Sequence, residues 1–134
     1  MKTEIVVTGI LKSKDEYLIV KRADDDYDET YPSAWEFPGG HLENDETIIQ
    51  GLKRELKEEI DFDLTGEPLI TNFYDEIRDK NGDKIHFIEL DFLIEVAKEK
   101  IDIKLSHEHS SYTWIKKDSK YMIDFLKRKL KNII

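Results

Sequence analysis

Between residues 48 and 60 the apolar positions advance by threes and fours, at Ile49, Leu52, Leu56 and Ile60. That period lines one face of a helix, and it predicts a helix from about residue 45 to 60. Asn44 or Asp45 is placed to cap it, with Glu46 near its positive end. Elsewhere the period is two. Residues 4–11 and 16–21 read as β-branched strands about a turn at 12–15. Residues 68–77 and 84–96 read as another pair, joined by a turn containing Asn81-Gly82, a strong hairpin signal. In the second of these, His86, Ile88, Leu90, Phe92 and Ile94 alternate with Ile85, Phe87, Glu89 and Asp91, which predicts one dry face and one wetter face. Residues 35–37 form a short apolar strand ahead of Pro38-Gly39-Gly40. That triplet reads as a turn, since Pro fixes φ and Gly tolerates positive φ. A polar stretch from residue 105 leads into a last strand ending near Ile115. Asp118 or Ser119 then caps a helix carrying Met122, Phe125, Leu126, Lys129 and Leu130, with Lys127-Arg128-Lys129 toward its negative end. Strands, a helix, more strands and a helix predict an α+β fold, a mixed β-sheet between helices in an α/β/α sandwich.

Composition narrows the functional classes. The 134 residues suit a single domain, 1–134, with one core. Lys plus Arg number 21 and Asp plus Glu 30, a net charge of −9. So acidic a chain lacks the basic face that duplex nucleic acid requires. With no cysteine, disulfides and zinc-thiolate sites are excluded. No apolar run approaches membrane-spanning length and no signal-peptide core is present, so the expected location is cytoplasmic, with no membrane partner. Edge strands and the tyrosines of residues 23–33 could support a homodimer, but nothing in the sequence demands one, so monomer and homodimer both stay open.

Against this background three carboxylates stand out. Glu55, Glu58 and Glu59 fall at i, i+3 and i+4 and share one helix face beside the apolar one. Like charges so placed repel unless a divalent cation sits among them, and hard oxygen ligands suit Mg²⁺ or Mn²⁺. For the bare triplet in so acidic a chain, a solvated acidic face is the favoured explanation, and the surrounding residues change the balance.

Gly40, five residues, Glu46, seven residues, then Arg54-Glu55-Leu56-Lys57-Glu58-Glu59-Ile60-Asp61-Phe62 resembles the Nudix box of the Nudix hydrolases. The pattern is G, five residues, E, seven residues, R-E-U-x-E-E-x-G-U, with U a bulky apolar residue. The single departure is Asp61 in place of the last Gly. Asp tolerates the left-handed conformation less well than Gly, so a less relaxed helix end is expected, with the site intact. Trp35-Glu36-Phe37-Pro38-Gly39-Gly40 is similar to the MutT-like branch of the family.

The resemblance implies the Nudix fold and metal-dependent hydrolysis of a nucleoside diphosphate linked to a group X, by water attack on the pyrophosphate. The MutT-like branch implies a nucleoside triphosphate substrate, with monophosphate and pyrophosphate as products. ADP-ribose, a nucleotide sugar and a dinucleoside polyphosphate remain alternatives, as does a sensor domain that binds a nucleotide without turnover. By the same resemblance, Glu55, Glu58 and Glu59 would hold Mg²⁺ or Mn²⁺, helped by the Gly39 carbonyl, and Glu55 is either a ligand or the general base. Arg54 and Glu46 would pair to hold the turn against the helix and orient Glu55. Glu108, in the loop before the last strand, would complete the metal shell or act as base. Arg22 and Gly40 would face substrate phosphates, aided by the positive end of the helix.

Several features carry a plainer reading. Arg22 is, from composition alone, a surface charge. His107 and His109 could ligate zinc with Glu108, but no further Cys or His follows to complete a site. His41 reads as a surface or supporting residue, and Gly51 as a close packing contact. Asp24, Asp26 and Asp28 mimic half an EF-hand loop, but Glu29 and Trp35 stand where Gly and Glu are required. Tyr27, Tyr31 and Trp35 read as packing aromatics.

Overall fold

The computed structural model describes residues 1–23 and 35–133. Residues 24–34, with Tyr27, Tyr31 and the aspartate run, lie outside the described residues. Among the described residues, seven strands and two α-helices follow one another as β1 (Lys2–Ser13), β2 (Glu16–Arg22), β3 (Trp35–Glu36), β4 (Gly39–His41), α1 (Ile48–Ile60), β5 (Leu69–Lys80), β6 (Asp83–Glu95), β7 (His109–Ile115) and α2 (Asp124–Leu130). The strand order is β3-β2-β1-β6-β5, with β4 also paired to β1 and β7 to β2. β1 runs parallel to β6, while the other pairings are antiparallel, so the sheet is mixed.

The pairing pattern opens the site. β1 and β2 pair only beside their turn, at Lys12–Tyr17 and Ser13–Glu16. Further along, β4 takes the edge of β1 from Val6 to Thr8, while β3 and β7 flank β2. A gap therefore remains between the β4 edge and the far end of β2.

Two cores flank the sheet. On one side Leu52, Leu56 and Ile60 of α1, all fully buried, pack on Val7, Leu11, Leu18, Leu90, Phe92 and Ile94. Each such side chain contributes about 1.5–3 kcal/mol by leaving water. On the other side Met122, Leu126 and Leu130 pack on Ile10, Tyr17, Ile19 and Ile115. This is the α/β/α sandwich expected from the order of elements.

Some local expectations fail for identifiable reasons. The first helix starts at Ile48 because Thr47 caps it, its hydroxyl accepting from the Gln50 N–H and its own N–H donating to the Gln50 side chain. Asn44 and Asp45 are not the cap, and Ile49 in the first turn is partly exposed. Pro38-Gly39-Gly40 leads into the short strand β4 instead of a turn, and neither glycine has positive φ. The glycines answer to crowding: a Cβ at Gly39 would lie 2.2 Å from the Val7 carbonyl oxygen. Both faces of β6 are dry, because α2 covers Glu89 and Asp91 and buries Lys129 between them, 2.9 Å from Glu89. Lys129 therefore serves as a buried counter-ion and not as a charge at the helix end. α2 itself begins only at Asp124, with no side-chain cap, and Ser119 holds the turn before it through its bond from the Tyr121 N–H.

Candidate functional site

α1 presents its carboxylates at graded depth. Glu59 is nearly buried, with 3% exposure. Glu55 is largely buried, whereas the Glu58 side chain is 59% exposed. The gradient follows from the helix: Leu52, Leu56 and Ile60 point into the sheet, so residues nearest that face are drawn under β4. The Gly39 N–H donates to Glu59 Oε1 at 3.0 Å. A Cβ at Gly40 would come within 2.5 Å of the Glu55 carboxyl. The two glycines thus let the backbone of β4 lie directly against two carboxylates, which is what their positions require.

Arg54 ties the cluster together. Its Nε and Nη2 donate to Glu46 at 2.9 and 2.6 Å, and Nη2 also reaches the His41 carbonyl at 3.0 Å. Its Nη1 donates to Glu55 at 2.9 Å and Glu58 at 3.2 Å. Glu46 also accepts from the Glu43 N–H at 2.9 Å, fixing the β4–α1 connection. Gly51 leaves space for Leu42 and Glu46 in that connection, since a Cβ there would sit 2.4 Å from Leu42 Cδ1. Its close packing contact is thus with the β4–α1 connection. His41 is exposed, 3.5 Å from Glu4.

A cleft of about 380 Å³ opens beside the cluster, lined by Arg22, Glu36, Gly39, Glu59, His107, Glu108 and His109. It continues into a groove lined by Gly40, Arg54, Glu55, Glu58, Glu59 and Glu108. Arg22 is the last residue of β2, and its Nε lies 3.3 Å from Glu36 Oε1. Glu108 precedes β7; its carbonyl accepts from the Ala23 N–H at 2.9 Å, and its own N–H donates to Ser106 Oγ at 3.3 Å. All the residues singled out from sequence, Arg22, Gly39, Gly40, Glu46, Arg54, Glu55, Glu58, Glu59 and Glu108, therefore border or brace one connected hollow. Glu36 and the buried imidazole of His109, 3.5 Å apart, join them. The period of two could have flagged Glu36, which register sets opposite Val20 of β2.

Burial and charge set the protonation of these groups. Desolvation pushes the Glu59 carboxyl up to about 7, against the Gly39 N–H and nearby His109. Glu55 is likewise raised by burial, with Arg54 opposing and Glu58 and Glu108 adding. Glu46 moves the other way, to about 2, through hydrogen bonds from Arg54 and the Glu43 N–H. For His109, burial works to lower the pKa, but its bond to Glu36 and the charges of Glu59, Glu36 and Glu108 prevail and raise it.

The donor set fits a hard divalent cation in its chemistry. The four carboxylates Glu55, Glu58, Glu59 and Glu108 offer oxygen donors, and a cation would offset the desolvated charge of Glu59. As the side chains stand, no three acidic or imidazole groups among the described residues converge in ligating geometry. Instead the Arg54 guanidinium lies between Glu55 and Glu58. The Gly39 N–H, and not its carbonyl, meets Glu59.

The fold and site together are a mixed sheet between two helices, with clustered helix carboxylates facing a cleft. The chain belongs to the NUDIX domain family, whose model matches residues 2–130. It is a Nudix pyrophosphohydrolase, and enzymes of this family generally require divalent cations. Nucleoside triphosphatase NudI of Escherichia coli O81 (strain ED1a) is 29% identical, over 87% of this chain and 84% of that protein. The MutT NUDIX hydrolase of Burkholderia pseudomallei shares the fold over 100% of both chains, with TM-score 0.76 and 18% identity. The solution structure of the E. coli ORF135 protein is 29% identical, over 87% of this chain and 75% of that one, with TM-score 0.58.

Proposed function

We propose that this Nudix domain hydrolyses a nucleoside triphosphate to the monophosphate and pyrophosphate, using Mg²⁺ or Mn²⁺. The observation that carries the reading is the gathering of Glu55, Glu58, Glu59 and Glu108 around one groove. The likeness to a nucleoside triphosphatase supports the substrate class. Glu55, Glu58, Glu59 and Glu108, with the Gly39 carbonyl, would hold the cations. Bound cations supply charge neutralisation at phosphate oxygens and a more acidic water, the main needs of phosphoryl transfer.

The chain's own residues do the rest. Arg54, clamped by Glu46, fixes the carboxylate of Glu55 in the groove. Buried and raised in pKa, Glu55 is suited to accept a proton from the attacking water as well as to bind metal. Arg22 stands at the mouth, where a guanidinium favours phosphate oxygens. Gly40 gives the groove a wall without a side chain, so phosphates and Glu55 share the space. No helix among the described residues is long and apolar enough to cross a membrane.

The test is a turnover panel with Mg²⁺, covering nucleoside triphosphates, oxidised triphosphates, ADP-ribose, nucleotide sugars and dinucleoside polyphosphates, with products identified by ³¹P NMR. Monophosphate and pyrophosphate from a triphosphate are expected. Nucleotide binding without turnover of any member would instead make the domain a sensor.

A further inference from the structure

We infer that Glu36 and His109 are positioning residues of this reaction, one carboxylate anchoring the imidazole that fixes Glu108 beside the carboxylate helix. The inference rests on the reading of Glu108 as a working group of the site.

Three strand ends meet at the cleft. Arg22 of β2 and His109 of β7 are register partners, just past an irregularity in the pairing at Lys21/Arg22. Glu36 of β3 reaches both: Oε1 lies 3.3 Å from Arg22 Nε, and Oε2 lies 3.5 Å from His109 Nε2. The His109 side chain is only 3% exposed. Glu108 therefore cannot swing freely, because the next side chain along is packed in the interior and paired to β3. Its main chain is held from both directions. The Ala23 N–H binds the Glu108 carbonyl, and the Ser106 N–H binds the Glu59 carbonyl on α1 at 3.1 Å. This loop thus spans the distance from the carboxylate helix to β2, and the Glu36–His109 pair is its side-chain anchor at the β2 end.

His109 is packed in the interior while Glu36 keeps about a third of its side chain exposed, and an apolar pair of similar volume is often as stable as such a pair, so packing alone does not call for these two groups. Holding Glu108 supplies that purpose. Groups that orient a working residue typically change activity by about 10–100-fold, and residues acting through one another are non-additive.

The experiment is a double-mutant cycle on kcat with the full chain, Mg²⁺ and the triphosphate turned over fastest, each variant checked for folding by thermal melt. Glu108→Gln is expected to lower kcat about 10²-fold or more. Glu36→Gln and His109→Gln should each lower it about 10–100-fold. In the Glu108→Gln background each should cost less than about threefold, showing that they act through Glu108. Glu36→Asp, which keeps the charge, should recover part of the loss even if Glu36→Gln folds poorly. Additive losses, or parent-like kcat in Glu36→Gln, would overturn the inference. Parent-like kcat in Glu108→Gln would instead sink the reading of Glu108 on which it stands.

Discussion

Asp61 closes α1 in the left-handed region, at φ 56°, where its N–H donates back to the Leu56 and Lys57 carbonyls. An L side chain is strained there, though Asp less than most, and the Lys57 ammonium 2.9 Å away offsets part of the cost. Asp61→Gly should therefore raise Tm by about 1–4 °C and leave kcat unchanged. A lower Tm would show that the Lys57 pair outweighs the strain. Here the sequence was fully legible, because one residue type at one box position dictates one backbone conformation. Arg54 was only partly so: the resemblance to the Nudix box implied its pairing with Glu46, yet its simultaneous reach to Glu55, Glu58 and the His41 carbonyl depends on tertiary approach.

At the scale of elements, the helix and its glycine strand form one unit. Gly40→Ala would drive a methyl group into the Glu55 carboxyl, 2.5 Å from an ideal Cβ. The expected result is a kcat lower by roughly 10–100-fold. The melting curve should be close to that of the parent, since only a side-chain end must move. A parent-like kcat would mean that Glu55 works equally well when displaced. Apolar period revealed α1, β1, β2, β5 and β6, each long enough for the pattern to repeat. It misjudged β4 because two glycines carry no apolar signal and their strand is defined by pairing with β1. It misjudged the second face of β6 because Glu89 and Asp91 look solvated until Lys129 arrives from a helix forty residues on. Glu55, Glu58 and Glu59 were legible because they lie on one face of one helix. Glu36 and His109 were not recognised, since what joins them is the meeting of three strand ends.

For the molecule as a whole, the buried Glu89–Asp91–Lys129 group couples stability to pH. Burial pushes Asp91 up to about 6, with Lys129 opposing, Glu89 adding and Asn72 opposing. A carboxyl whose folded pKa lies above its unfolded value takes up a proton on folding. Its ionisation thus weakens the fold above about pH 6, and that weakening is relieved as pH falls toward 4. Asp91→Asn removes this dependence. The Tm of the variant minus that of the parent should be more positive at pH 7.5 than at pH 4.5, and an equal difference at both would contradict the assignment. The acidic balance of the chain, −9, makes the same point about the site: an anionic substrate approaches only where cations gather.

The most direct measurement of the central claim is triphosphate hydrolysis against Mg²⁺ concentration, for the parent and Glu58→Gln side by side. Glu58 is largely exposed, so its substitution tests chemistry with little effect on folding. The account predicts turnover that rises with Mg²⁺ in the parent and falls by about 10²-fold or more in the variant. Equal rates in the two proteins, or turnover indifferent to Mg²⁺, would contradict it.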